Sequence, residues 1–226
     1  MYSYRYFKAK THRLIPSRYP PVSLFDWAKS PQELEELALL EGLSNDRLNN
    51  ALGTLLQVPK EDWVLGEGTT PLMAAFTHPG RSRFSDGSFG IYYAGDSLET
   101  AIAETKFHRE RFLSASNEPP CLIQMREYLA YVNKKLVNLN EEKYRSLLNP
   151  DVNLYTQSQQ FGQELKQHKE WGMIYPSVRR ANAQCIAILR PPALTIPIQG
   201  CHLNYVWNGL CIEDISQAKN VIPAIT

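Results

Sequence analysis

Long apolar runs are what this sequence most conspicuously lacks. No stretch approaches the roughly eighteen apolar residues that a membrane span needs. Its first ten residues, MYSYRYFKAK, hold no signal-peptide core. The expectation is a soluble, cytoplasmic protein with no membrane partner. An excess of either charge is missing too: the net charge is +1. With no RNA-binding motif, that leaves no bulk electrostatic case for nucleic acid. Cysteine is scarce and scattered. Cys121, Cys185, Cys201 and Cys211 form no CxxC pair, and three of them stand in apolar, strand-like contexts. Buried free thiols are expected rather than disulfides or a metal site. The histidines (His12, His78, His108, His168, His202) show no metal-ligand spacing. There is no Walker loop, GxGxxG after a strand, GxSxG elbow or HExxH. No metal and no bound cofactor are expected.

What is present reads as one α+β domain. A chain of 226 residues with 43% apolar and 21% charged content can bury a single sizeable core. The organisation expected is an extended and helical N-terminal region over 1–57 and a core over 58–226. Ser30-Pro31-Gln32-Glu33 is a helix start, with serine as cap, proline at the first position and glutamate closing a capping box. The helix would bury Leu34, Leu37 and Leu40 or their neighbours and stop at Gly42, with a second helix over 46–57. An apolar run, LMAAFT, leads into a central loop. CLIQMREYLAYVNKKLVNLN suggests one or two strands. Helices are expected over 141–149 and 155–168. WGMIYPSVRRANAQCIAILRPPALTI then gives a strand, a polar loop with Ser177, Arg179 and Arg180, and a second strand. NYVWNGLCIED alternates around Asn208-Gly209, a hairpin signal.

Residues 80–108 concentrate the chemistry: GRSRFSDGSFGIYYAGDSLETAIAETKFH. Arg81 and Arg83 lie in a loop of small residues, where backbone approaches a ligand closely and arginine offers a planar fork for phosphate. Asp86-Gly87 signals a turn. Phe89, Ile91 and Tyr93 alternate onto one face of a short strand. Asp96 is the expected helix cap, with Glu99 as its capping-box partner. The helix would bury Leu98, Ala101, Ile102 and Thr105, which leaves Glu104 on the border of that stripe. Taken singly, Arg83 reads as a surface residue, Tyr93 as a core tyrosine, Glu104 as a partner of His108 at i+4, and Ser177 as a turn residue.

Three strings taken together, SRFSDGSFGIYYAGDSLETAIAETKFH, IYPSVRRANAQCIAILRP and HLNYVWNG, resemble the RES domain family. The upstream RLIPSRYPPVSLFD and GTTPLMAAFTHPG extend the likeness over nearly the whole chain. This family is named for an arginine, a glutamate and a serine, and forms the toxin half of RES–Xre toxin–antitoxin pairs. The resemblance implies an ADP-ribosyltransferase-like fold: a mixed β core with flanking helices and a helical N-terminal region. It also implies cleavage of the nicotinamide–ribose bond of NAD⁺, by hydrolysis or phosphorolysis, with NAD⁺ as substrate rather than cofactor. Arg83 matches the family arginine, Tyr93 the tyrosine ending the next strand, Glu104 the glutamate and Ser177 the serine. SRFS stands where many members read GRWN, which places Ser85 at the position of the asparagine. The implied roles are Glu104 stabilising the ribosyl cation, Arg83 binding the pyrophosphate, Tyr93 stacking on nicotinamide and Ser177 orienting ribose or phosphate. Arg81, Arg179 and Arg180 would add phosphate contacts. The implied partner is an Xre-type helix-turn-helix antitoxin that binds DNA while this chain does not, and a homodimer within the complex is allowed. The alternatives are a protein or nucleic-acid ADP-ribosyltransferase, against which Ile102 two positions before Glu104 argues, and a non-enzymatic interaction module.

Overall fold

The computed structural model describes residues 1–17, 24–42, 55 and 57–218, with backbone only for residues 24 and 37–42. Nearly all of the second helix expected over 46–57 falls outside them. In chain order the elements are β1 (Tyr4–Tyr6), β2 (Thr11–Pro16), α1 (Leu24–Trp27), α2 (Pro31–Gly42), α3 (Thr70–Thr77), β3 (Tyr92–Gly95) and α4 (Leu98–Ala115). There follow β4 (Cys121–Ala130), β5 (Lys135–Asn138), α5 (Thr156–Gln167), β6 (Gly172–Pro176), β7 (Gln184–Ile188), β8 (Ile198–Trp207) and β9 (Ile212–Gln217). The helix expected over 141–149 is a 3-10 segment, Glu142–Leu148. The domain is α+β, as its sequence implies.

Among the described residues the strands form one mixed sheet in the order β1-β5-β6-β7-β3-β2-β4-β8-β9. Every pairing is antiparallel except β5 with β6. The N-terminal strands belong to this sheet: β2 lies between β3 and β4, and β1 forms one edge. Alternation along the strands sorts the core. Tyr92, Ala94, Ile174, Ile186 and Ile188 face one side, where they pack with Phe25, Leu34, Leu72, Met73 and Phe76. Tyr93, Tyr175, Cys185 and Ala187 face the other, with Phe84, Phe89, Ile91, Leu165 and Phe161. A third cluster joins Ala101 and Leu113 of α4 to Leu14, Met125, Leu203, Tyr205 and Trp207.

Local chemistry fixes the helices. Ser30 Oγ accepts from Glu33 N at 3.1 Å and Glu33 Oε2 from Lys29 N at 2.8 Å, so the box at the start of α2 closes one position earlier than the serine. α4 is capped by Ser97, whose backbone is extended (φ −153°) and whose Oγ accepts from Thr100 N at 3.2 Å. This corrects the expectation that Asp96 is the cap. Asp96 instead accepts from Thr100 Oγ1 at 2.6 Å and from Gln184 N at 2.7 Å, fastening the β3–α4 junction to β7. Two glycines set helix positions. A Cβ on Gly95 would lie 2.9 Å from Ala101 N, and one on Gly162 would lie 2.0 Å from Phe84 O. Their bare backbones let α4 and α5 approach the sheet and the 80s loop. The hairpin turns at Asn208-Gly209, where Gly209 has φ +97°. All four cysteines are free, but only Cys185 is buried; Cys121 and Cys201 are half-buried and Cys211 is exposed.

Candidate active site

The sheet face carrying Tyr93, Tyr175 and Cys185 runs into the start of α4, and here the separated motifs meet. In the register, Cys185 lies opposite Gly95 on one side and Tyr175 on the other. The ladder continues one step beyond β6, where Ser177 N donates to Ala183 O at 2.9 Å. That step brings Ser177 beside the second turn of α4. Ser177 Oγ donates to Glu104 Oε1 at 2.6 Å, and Cys185 Sγ approaches the same oxygen at 3.7 Å. Ser177 Oγ accepts in turn from Arg179 N at 3.2 Å and Arg180 N at 3.0 Å. The hydroxyl therefore closes its own turn and holds the carboxylate. Glu104 is half-buried, and among the described residues its Oε2 makes no hydrogen bond.

Arg83 is 7% exposed, and its named partners are neutral. Nη1 donates to Asn149 O at 2.7 Å and Leu147 O at 3.4 Å, and Nη2 to Tyr155 OH at 3.0 Å. The guanidinium also lies 4.4 Å from the centre of the Tyr155 ring. Its charge reaches Tyr93, Tyr175 and His108. Tyr93 ties the arginine loop to the sheet: its hydroxyl pairs with Ser82 Oγ at 2.9 Å and accepts from Phe84 N at 3.1 Å. Burial pushes the Tyr93 phenol up to about 12, against the opposing pull of those bonds and of Arg83. Burial, then the neighbouring Cys185 and Glu104, holds Tyr175 protonated; burial, then Glu104, does the same for Cys185. His108 stands at the rim, its pKa below the ordinary value through desolvation first; Glu104 opposes that shift, and Arg179, Arg83 and Arg109 add to it.

The other arginines divide. Arg179 lies flat over Phe107, 3.4 Å from the ring centre, and donates to Pro150 O. Arg180 donates to Ser97 Oγ and Thr100 Oγ1, both at 3.0 Å, and so braces the start of α4. Arg81 is exposed; hydrogen bonds from Ser88 first, and the Arg81 charge last, hold the Asp86 carboxyl below its usual range. Ser85 is fully buried, donating to Phe89 O at 2.6 Å and accepting from Gly87 N at 3.1 Å, so it shapes the loop from within. Sequence reasoning missed Tyr155, which begins an expected helix, and Tyr175 and Cys185, which read as plain strand residues. The missing signal was register: only the β3–β7–β6 pairing sets Cys185 against Glu104.

A carboxylate with one oxygen anchored and the other unbonded, and a buried cation with neutral partners, both acting on Tyr175 and His108, suit a ligand carrying both hydroxyl donors and negative charge. Among the described residues no group of three or more histidine, cysteine or acidic side chains has the geometry to hold a metal ion. No helix among them is long and apolar enough to cross a membrane.

The chain is similar to known proteins in sequence and in structure. A family model described as "RES domain" matches residues 54–208. "Uncharacterized protein y4oC" of Sinorhizobium fredii is 31% identical over 210 residues, covering 91% of this chain and 86% of that protein. Among solved structures, a chain of the M. tuberculosis MbcT–MbcA toxin–antitoxin complex superposes with a TM-score of 0.47 at 9% identity, covering 89% of this chain and 86% of that one.

Proposed function

The chain belongs to the RES domain family, and we propose that it is an NAD⁺-cleaving enzyme acting as the toxin of a two-protein module, with an ADP-ribosyltransferase-like core. The observation that carries this reading is the Ser177–Glu104 pair, with Oε1 held at 2.6 Å and Oε2 left without a partner among the described residues. Breaking the nicotinamide–ribose bond sends the bonding pair to the pyridinium nitrogen. Nicotinamide leaves neutral, and positive charge stays on the ribose. A fixed carboxylate beside that carbon stabilises the charge as it develops, and its open oxygen accepts the 2′-hydroxyl. Ser177 acts through Glu104: by occupying Oε1 it directs Oε2 toward the sugar.

Arg83 supports the other half of the substrate. A guanidinium this buried with only carbonyl and phenol partners lacks a counter-charge, and a pyrophosphate would supply one. Arg179 and, from the rim, Arg81 add positive potential. Tyr93 uses its hydroxyl to brace the loop and presents its ring to the nicotinamide. The acceptor is water, which gives ADP-ribose and one proton, or inorganic phosphate, which gives the 1-phosphate. The partner proposed from family membership is an Xre-type helix-turn-helix antitoxin that covers this mouth, the chain itself binding no DNA.

The test is NAD⁺ consumption and nicotinamide release by the purified chain and by Glu104→Gln, each with and without phosphate. Stoichiometric nicotinamide from the wild type, at least a hundredfold less from Glu104→Gln, and a phosphate-dependent rate would establish the reaction and its acceptor. A folded wild-type sample that leaves NAD⁺ intact under both conditions overturns the reading. Transfer of labelled ADP-ribose to protein or nucleic acid would replace it with the macromolecular transferase.

A further inference from the structure

One short segment, residues 147–155, sets the orientation of Arg83. Nη1 donates twice into it, to Asn149 O at 2.7 Å and Leu147 O at 3.4 Å, and Nη2 donates once, to Tyr155 OH at 3.0 Å. The Tyr155 ring also covers the guanidinium, whose central carbon lies 4.4 Å from the ring centre. Tyr155 thus restrains the cation in two ways: the ring sets its plane, and the hydroxyl sets its rotation within that plane.

The segment is itself braced. Ser158 Oγ donates to Leu147 O at 2.7 Å, Asn149 Oδ1 accepts from Asp151 N at 2.8 Å, and Arg179 donates to Pro150 O. A guanidinium has five N–H donors. The Nε–H and one Nη2–H of Arg83 have no partner among the described residues, and Nε is not sealed in: the buried, unpartnered arginine nitrogens are those of Arg126 and Arg179. Carbonyls and a phenol orient this cation without neutralising it. A carboxylate in their place would hold Arg83 as firmly but would cancel the charge that an anionic ligand needs.

We propose that Tyr155 is a positioning residue for substrate binding, acting through Arg83 so that the remaining Nε–H and Nη2–H meet one phosphate of the dinucleotide; this rests on the NAD⁺ reading above. Tyr155 takes no part in breaking the glycosidic bond, which stays with Glu104 and Ser177. Its contribution therefore falls on affinity for a phosphate-bearing ligand.

The experiment measures steady-state NAD⁺ cleavage and, by calorimetry, binding of ADP-ribose to the full chain, for wild type, Tyr155→Phe and Ser158→Ala. Tyr155→Phe keeps the ring and removes one oxygen atom, so it is expected to fold, which circular dichroism checks. Ser158→Ala loosens the same segment without touching the guanidinium. Losing a hydrogen bond to a charged group should raise the ADP-ribose dissociation constant and the NAD⁺ KM about tenfold in Tyr155→Phe. Its kcat should stay within about twofold of wild type, and Ser158→Ala should show a smaller shift of the same kind. A merely structural role would lower kcat as well; that result overturns the proposal, as does an unchanged dissociation constant in Tyr155→Phe or no binding of millimolar ADP-ribose by wild type. Should the wild type bind ADP-ribose yet leave NAD⁺ intact, the cleavage reading fails and the binding comparison alone decides the role of Tyr155.

Discussion

Ser177 occupies an unusual position for a hydroxyl, accepting from two backbone N–H groups while donating to Glu104. The two acceptances fix the direction of its proton, so the hydrogen bond to Glu104 is pre-organised rather than one rotamer among three. Hydrogen bonds to charged groups contribute about 1.5–3 kcal/mol. Ser177→Ala should therefore lower kcat for NAD⁺ cleavage by about tenfold to a hundredfold while changing KM less, because in the proposed reaction the bond orients the carboxylate that faces the ribose rather than holding the dinucleotide. A loss confined to KM would place Ser177 on the substrate instead. Residue-scale features differed in how far they could be read from sequence. The border position of Glu104 followed from a period of 3.6, and the structure finds it half-buried there. The cap did not follow. Asp96 and Ser97 are both good capping residues, and the choice was made by Gln184 N, which takes an Asp96 oxygen from across the sheet.

At the scale of elements, the site depends on how closely helices press against the loop and sheet. Gly162 of α5 leaves no room for a methyl group, since its Cβ would fall 2.0 Å from the Phe84 carbonyl oxygen. Alanine is favoured over glycine inside a helix by about 1 kcal/mol, so an open site would gain stability from the change. Here the obstacle is backbone, flanked by the fully buried Phe84, whose ring meets Tyr175 edge-on at 5.2 Å. Overpacking of this kind costs about 1–3 kcal/mol, and strain should win. Gly162→Ala is expected to lower the urea midpoint and to reduce NAD⁺ cleavage by shifting Phe84 and its neighbour Arg83; a raised midpoint would show that α5 can move away freely. The helix itself was legible over 155–168, β6 and β7 as strands around a polar loop, and the terminal hairpin from alternation. What pattern could not show was the partner: a glycine among polar residues in TQSQQFGQELKQ reads as a weak point until Phe84 is placed beneath it.

For the molecule as a whole, the decisive feature is where the first strands go. The family match begins at residue 54, and the Tyr-, Arg- and Pro-rich beginning reads from sequence only as an extended region that could be a lid, an arm or one wall of the core. Yet β2 is an interior strand, paired with β4 from Thr11↔Ala130 to Pro16↔Met125 and touching β3 at His12↔Gly95. Contacts so distant in sequence leave no local signature, which is why alternation in YRYFKAKTHRLIP could not reveal its place. Arg13 Nη1 donates to the Tyr93 carbonyl at 3.1 Å, and His12 Nδ1 lies 2.6 Å from Oε1 of Glu127, a carboxylate only 5% exposed. Removing residues 1–53 while keeping the matched region would open a gap between β3 and β4, bare the edge of β5, and take from Glu127 its histidine partner. It would also strip Phe7, Leu14, Phe25 and Leu34 from the core; large apolar side chains lost from a core cost about 2–5 kcal/mol each, against the roughly 5–15 kcal/mol that holds a typical domain together. A fragment of residues 54–226 is therefore expected to show no cooperative thermal transition and to aggregate through the exposed strand edges. A fragment that unfolds cooperatively with a native-like circular dichroism spectrum would mean that β3 and β4 can close on each other without β2. Because Tyr93 lies on β3 and Glu104 on the helix that follows it, the N-terminal strands then count as part of the site's foundation rather than as its lid.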